Sequence, residues 1–349
     1  MVGCENLKIV ICSGGTGGHI FPAYALFQAL QKRRSDVIMV TDVRGNAYCG
    51  SISEKIIFNT IRFSYKNILK IGYYSLSTFF TFCKFWFRKR PDIVIGFGGV
   101  FTVIPLSIAK VLGSKIIIYE QNSILGKANK FLEKFADSKL SSFRLGENWI
   151  EVPAPVRGEF IKNIPYKCKK IIKILIIGGS QGAASFSKII PEAMALLDKK
   201  ERKHIEIIQQ ASYGDVKQLK QTYKDLGIKS TLKSFIHDVA EIMLDSQLII
   251  CRSGASTLSE LAATGRPAIL IPYPNAADNH QLYNALYYKN KKAAWVLEEK
   301  EGIIDKLGKI LRQILQDREL LKITSSHMIN SSKGCATDNF IKQIELVKS

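Results

Sequence analysis

The feature that most constrains this chain is a pattern that occurs twice. "LKIVICSGGTGGHIFP" at 7–22 and "IIKILIIGGSQGAASFSKII" at 171–190 each run from an apolar stretch of strand length, through a glycine loop, into a helix-like segment. Strands that are apolar along their whole length must be covered on both faces, and strand–helix alternation supplies that cover in a parallel sheet. The segments between keep the alternation: "VIMVT", "DIVIGFGG" and "SKIIIYEQN" in the first half, "HIEIIQQ" and "QLIICRSGASTLSELAATGRPAILIPYP" in the second. At 349 residues the chain exceeds what one core usually serves. Between the two patterns, "PAPVRGEFIKNIPYKCKK" at 153–170 carries three prolines and a basic run, the composition of a linker. The expected fold class is α/β, with two Rossmann-like doubly wound domains facing a cleft. Ligands of such sheets bind beyond the carboxyl ends of the strands. The tail "GCATDNFIKQIELVKS" reads as a helix capped by Asp338 or Thr337.

The first loop, Ser13 to His19, fits neither the dinucleotide pattern G-x-G-x-x-G nor the P-loop. Its physics is that of an anion cradle all the same. Glycines let the backbone approach a ligand, and a helix N-terminus offers unpaired N–H groups and a positive dipole end. Pro22 suits the first turn of a helix expected near 21–33. His19 at the rim is a candidate general base, since an imidazole titrates near neutral pH. The plain alternatives are a tight turn and a structural histidine. Gly178-Gly179-Ser180-Gln181-Gly182 repeats the loop chemistry, so two phosphate-bearing ligands are expected. In "CRSGASTLSELAATGRP", Ser256 and Glu260 lie four apart on one helix face, and Glu260 is placed either to accept ribose hydroxyls or as plain surface. In "DNHQLYNALYY", Asp278, Gln281 and Asn284 recur every three residues. They form a stripe suited to sugar hydroxyls, or a capped amphipathic helix with Asp278 as cap. There is no D-x-D and no compact His/Cys/Asp/Glu cluster, so neither a metal nor a cofactor is expected.

Net charge is +20, which predicts attraction to a polyanion or a solvated lysine-rich surface. Residues 55–91 contain no acidic residue. Lys55, Arg62, Lys66, Lys70, Lys84, Arg88, Lys89 and Arg90 flank Ile68, Ile71, Leu76, Phe79, Phe80, Phe82, Phe85, Trp86 and Phe87. Basic flanks on an apolar body suit an anionic lipid surface, with a buried helix as the alternative. The aromatics cluster instead of alternating with charges, which disfavours nucleic acid. The uncharged run between Lys70 and Lys84 is too short to span a bilayer. Seven scattered cysteines without a C-x-x-C, and no signal-peptide pattern, point to a reducing cytosol.

Six motifs, "GGTGGH", "GFGG" at 96–99, "EQN" at 120–122, "GGSQGA" at 178–183, "CRSGASTLSE" at 251–260 and "HQLYNA" at 280–285, come in the order found in the MurG family. The chain resembles these UDP-N-acetylglucosamine:lipid I N-acetylglucosaminyltransferases of peptidoglycan synthesis over about 15–290. The resemblance implies the GT-B fold. It divides the chain into an acceptor and membrane-facing domain at 1–158, a UDP-GlcNAc domain at 159–335, and a helix at 336–349 crossing back to the first domain. It implies that Ser180 contacts the diphosphate, Ile236 the uracil through its backbone, and Arg157 the nucleotide. Ala255, Ser256, Thr257, Leu258, Ser259 and Glu260 would line the donor loop, with Glu260 on the ribose. Gln281 and Asn284 would read the sugar. Thr16, Gly17, Gly18, His19 and Asn122 would line the acceptor side. His19 is the first candidate for the base and Glu120 the second. The implied reaction inverts the donor linkage and joins GlcNAc β-1,4 to the muramoyl 4-hydroxyl of lipid I, releasing UDP. It implies a peripheral enzyme on the cytoplasmic face of the inner membrane, attached through 62–90, without nucleic acid. The alternative is another sugar-nucleotide enzyme of this fold with a lipid acceptor, such as a diacylglycerol glycosyltransferase. Two positions depart from the family pattern: Val100 follows the glycines, and the proline is Pro105.

Overall fold

The computed structural model describes residues 7–15, 17–33, 35–49, 55–58, 68–162, 164–178, 184–331 and 336–348, with only the backbone described at 68–72. The chain divides into two compact units, Met1–Arg157 with Lys333–Ser349, and Gly158–Ser332.

The first unit is built on β1 (Lys8–Cys12), β2 (Asp36–Asp42), β3 (Lys55–Phe58), β4 (Ile93–Gly96), β5 (Lys115–Glu120), β6 (Ser138–Ser141) and β7 (Ile150–Glu151). They form one sheet in the order β3-β2-β1-β4-β5-β6-β7. Every pairing is parallel, with Val10 opposite Ile38 and Val94. Successive side chains point to opposite faces, and both faces are buried. Ile9, Ile11, Met39, Ile95 and Ile117 pack against helices Gly17–Lys32 and Ala336–Lys348. Val10, Cys12, Val40, Val94 and Ile118 pack on the other side with Phe82, Leu106 and Ala109. The strand order reverses between β1 and β4, so the crevice at a topological switch point opens beyond Cys12 and Gly96.

The second unit repeats the plan with β8 (Ile172–Ile177), β9 (Ile205–Gln210), β10 (Lys229–Lys233), β11 (Leu248–Cys251), β12 (Ala268–Leu270) and β13 (Ala294–Val296). Their order is β10-β9-β8-β11-β12-β13, again all parallel, with the switch between β8 and β11.

Three local expectations are corrected. The first helix begins at Gly17, not near 21, so Pro22 lies in its second turn and has no N–H to give the Gly18 carbonyl. Asp278 does not cap the helix His280–Asn290. Asp278 and Asn279 instead take consecutive left-handed conformations, φ 51° and 52°, before it. Asp338 is no cap either: it lies in the first turn of Ala336–Lys348 and pairs with Arg33.

The basic, aromatic stretch forms the helix Ile68–Lys89. Thr78 and Phe82 are buried against the sheet, while Tyr73, Leu76, Phe80 and Phe87 are exposed. At 3.6 residues per turn those four share one side, opposite Phe82. The helix therefore has one face buried in the core, as the buried-helix reading expects, and one exposed apolar face. Arg62 and Lys66 lie outside the described residues. No helix among the described residues is long and apolar enough to cross a membrane.

Candidate active site

In the first unit the carboxyl ends of β1, β2, β4 and β5 converge on the glycine loop. Asp42, the last residue of β2, is fully buried. Its Oδ1 accepts from the Gly15 N–H at 3.0 Å and the Gly45 N–H at 2.7 Å. Arg44 Nη2 pairs with its Oδ2 at 3.0 Å. The loop is thereby tied to the neighbouring strand by its backbone. A Cβ on Gly14 would lie 3.2 Å from Asp42 Cγ and 3.3 Å from Phe101, tight enough that these side chains would have to give way slightly. Thr16 lies outside the described residues.

His19 sits in the first turn of the helix Gly17–Lys32, half-buried. Its imidazole lies against Gly98, beyond the end of β4. Gly98 has φ +78°, and a Cβ built on it would be 3.2 Å from His19 Cδ2 and 3.4 Å from Nε2. The same Cβ would be 3.6 Å from Asn129 Nδ2. Gly98 of "GFGG" is therefore glycine for two reasons: a left-handed backbone, and space for the His19 ring. Val100, the first departure from the family pattern, is 81% exposed, while Pro105 is buried.

Glu120 ends β5, 3% exposed. Oε1 accepts from the Asn122 N–H at 3.1 Å and Asn122 Nδ2 at 3.2 Å. Oε2 accepts from the Gly126 N–H at 3.0 Å and Asn129 Nδ2 at 2.9 Å. A carboxylate has about four lone-pair sites, and four donors occupy them. Glu120 thus organises the 120–129 loop and presents Asn122.

In the second unit, Gly178 follows β8, and Ser180 with its neighbours at 179–183 lies outside the described residues. The helix Phe186–Ala195 leaves from this loop with Ser185 before it. Arg252, one residue past β11, joins the loops. Its Nη2 donates to Ser185 Oγ at 3.0 Å, and its Nη1 donates to the carbonyls of Ile271 and Pro272 at 3.2 and 3.1 Å. Glu299 pairs with it at 2.6 Å, and the guanidinium lies over the rings of Phe186 and Tyr273, 4.7 and 5.4 Å from their centroids. Ser253 Oγ donates to the Gln281 carbonyl at 2.7 Å, and Gln281 Oε1 accepts from the Tyr273 N–H at 3.0 Å.

The expected donor residues sort unevenly. Glu260 is buried on the helix Ala255–Thr264. Its charge reaches Cys251, whose thiol is pushed up first by burial and then by that carboxylate. Ser256, Thr257 and Ser259 are half-buried on the same helix, and Ala255 opens it. The Leu258 side chain is in the core at 1% exposure. Asn284 is fully buried, and its Nδ2 donates to the Ser253 carbonyl at 3.3 Å, which ties it to the loop after β11. Ile236 is buried, and its main-chain N–H and C=O have no hydrogen-bond partner among the described residues. Arg157, expected on the nucleotide, belongs to the first unit, with its guanidinium 4.9 Å from the Phe21 ring centroid. Sequence reasoning passed over Asp42, Gly98, Asn129 and Arg252 as functional candidates. Among the described residues no group of three or more His, Cys, Asp or Glu could hold a metal ion.

Two all-parallel doubly wound units, each with a switch point beside its first strand, are the architecture of the GT-B glycosyltransferases. The chain belongs to glycosyltransferase family 28: the model of that family's N-terminal domain matches residues 9–141 and that of its C-terminal domain residues 173–339. It is 36% identical over 344 residues to a Rickettsia bellii protein named UDP-N-acetylglucosamine–N-acetylmuramyl-(pentapeptide) pyrophosphoryl-undecaprenol N-acetylglucosamine transferase, covering 93% of this chain and 96% of that one. A Bartonella quintana protein of the same name is 36% identical over 320 residues, 87% of this chain and 84% of that one. Among solved structures, Acinetobacter baumannii MurG matches with a TM-score of 0.80 at 25% identity, covering 97% of this chain and 99% of that chain.

Proposed function

We propose that the chain transfers N-acetylglucosamine from UDP-N-acetylglucosamine to the muramoyl 4-hydroxyl of undecaprenyl-diphospho-muramoyl-pentapeptide, giving a β-1,4 linkage and UDP. The observation that carries this reading is the pair of all-parallel sheets, each with a switch point beside its first strand, together with the relatives' shared name. The second unit takes the donor. The N-terminus of the helix Phe186–Ala195 and the Ser180 loop receive the diphosphate, where N–H groups and the helix dipole stabilise the charge of departing UDP. The uncommitted N–H and C=O of Ile236 suit the uracil edge, Glu260 accepts the ribose hydroxyls, and the Gln281 amide N–H₂ is left to donate to the sugar.

The first unit takes the acceptor, with Gly17 and Gly18 beside the lipid diphosphate and Asn122 lining the site. His19 removes the proton from the 4-hydroxyl as that oxygen bonds to the anomeric carbon and the bond to UDP breaks. His19 is preferred to Glu120 because the four hydrogen bonds on Glu120 leave no lone pair for a substrate proton. The helix Ile68–Lys89 docks on the cytoplasmic face of an anionic membrane: its exposed side carries Tyr73, Leu76, Phe80 and Phe87, with Lys84, Arg88 and Lys89 exposed on the same helix. The test is transfer from UDP-GlcNAc to a lipid I analogue, with the product's anomeric configuration read by NMR. A β-linked disaccharide is expected; no transfer, or an α product, sinks the reading.

A further inference from the structure

Phe340, from the C-terminal helix Ala336–Lys348, is fully buried in the first unit. Its ring stacks on Phe97 with centroids 5.5 Å and planes 10° apart, and meets Tyr119 at 5.1 Å. Phe97 and Tyr119 are themselves 5.2 Å apart, so the three rings close a triangle. Two of them immediately precede site residues: Phe97 precedes Gly98, against which His19 rests, and Tyr119 precedes Glu120. Gln121 Nε2 holds the Phe97 carbonyl at 2.7 Å, and Asn129 Nδ2 holds that of Tyr119 at 3.0 Å. Beyond Phe97 the chain leaves the sheet through two left-handed glycines, Gly98 and Gly99, where no strand ladder fixes it. The Phe97 N–H donates to the Cys12 carbonyl at 2.9 Å and the Gly99 carbonyl accepts from the Thr102 N–H at 3.0 Å, so the stretch is held at both ends, and the packing of the Phe97 ring acts on Gly98 between them. The helix that carries His19 is gripped from the same side. Ile20, its neighbour, shares the core with Phe340, Ile341 and Ile344, and Arg33 past that helix's end pairs with Asp338.

We propose that the C-terminal helix positions the His19 imidazole, with Phe340 as the wedge that sets the Phe97–Gly98 backbone behind it. Phe340 touches no substrate and acts through that backbone. The proposal rests on the reading of His19 as the base, and its test separates the two. Of the five histidines, His204, His237, His280 and His327 belong to the second unit, so His19 is the only one in the first. Its ring resonance is therefore separable in spectra of histidine-labelled full-length protein.

In Phe340→Ala, kcat is expected to fall tenfold or more with KM for UDP-GlcNAc within twofold of wild type. The His19 ring resonance and its titration midpoint move, and the other four histidines stay in place. Phe340→Leu, which keeps apolar volume, shows the same pattern at smaller amplitude, and it decides the matter where the alanine variant fails to fold. An unmoved His19 resonance in the folded variant overturns the proposal, whatever happens to kcat. A moved resonance together with a fully active His19→Ala supports the positioning role and overturns the base assignment.

Discussion

Gly98→Ala puts the site geometry to a graded test. Gly98 has φ +78°, and the new methyl would sit 3.2 Å from His19 Cδ2 and 3.4 Å from Nε2. Ordinary carbon contacts begin at about 3.5 Å, so restoring a contact of about 3.5–3.7 Å makes the imidazole retreat by roughly 0.3–0.5 Å. A misplacement of about 1 Å at a reacting group costs about 10²-fold. Interpolated on a logarithmic scale, this shift lowers kcat by about 4- to 10-fold. The substitution also carries the left-handed penalty of an L side chain, about 1–2 kcal/mol. Gly113→Ala isolates that second effect, because Gly113 has φ +93° and a Cβ there meets nothing within 4 Å. Both variants should lose about 2–4 °C of Tm per kcal/mol. Steady-state UDP release, followed with a coupled assay at saturating donor and acceptor, should fall only in Gly98→Ala. Equal kcat in the two variants would refute the claim that Gly98 makes room for a catalytic imidazole.

Three further outcomes follow from the same contacts. Glu120→Gln replaces an acceptor of four hydrogen bonds by a group that can leave two donors facing each other, at about 1–3 kcal/mol per orphaned group; thermal unfolding should show that loss, and a variant as stable as wild type contradicts the organising role. Arg252→Lys keeps the charge but loses the planar fork that spans Ser185, Ile271, Pro272 and Glu299; calorimetric titration with UDP-GlcNAc should show donor affinity lowered about tenfold, a little over 1 kcal/mol. Asp137 is held below the ordinary carboxylate range: burial opposes this, but Lys110, the Ile116 N–H and Lys115 outweigh it. A lowered folded value means stability that is present above the unfolded value near about 4 and lost as pH falls through the folded one, so the gap between wild type and Asp137→Asn should be flat from about pH 5 to 8 and close below about 4 in acid titrations of denaturant stability.

Much of the architecture was legible because its signals are local. A run that is apolar but for one lysine and leads into glycines is a strand buried on both faces, and it recurs at β1 and β8. The site was partly legible for the same reason. Asp42, Glu120 and Arg252 are each the first charged residue after an apolar run, and carboxyl strand ends are where a doubly wound sheet binds ligands. Glu120 entered the site through the family resemblance, and the signal itself was passed over in all three. Spacing along a helix gives a polar residue's neighbours on that helix but not which side faces the protein, so the burial of Asn284 against the Ser253 carbonyl was not legible. Leu258 was drawn into the site by its motif although its apolar side chain belongs to the core. Phe340 was not legible at all. Its contact with Phe97 joins distant parts of the chain through ring packing, and no pattern along the sequence encodes that.

The central claim is that a histidine on the first glycine loop deprotonates the acceptor for transfer from UDP-GlcNAc. The most direct test is the single-turnover rate of GlcNAc transfer to a lipid I analogue, measured on wild type and on His19→Ala with UDP-GlcNAc affinity measured in parallel. Loss of a positioned general base costs about 10²- to 10⁴-fold. The account predicts a fall of that size with donor affinity unchanged, and a His19→Ala enzyme that transfers at the wild-type rate would contradict it.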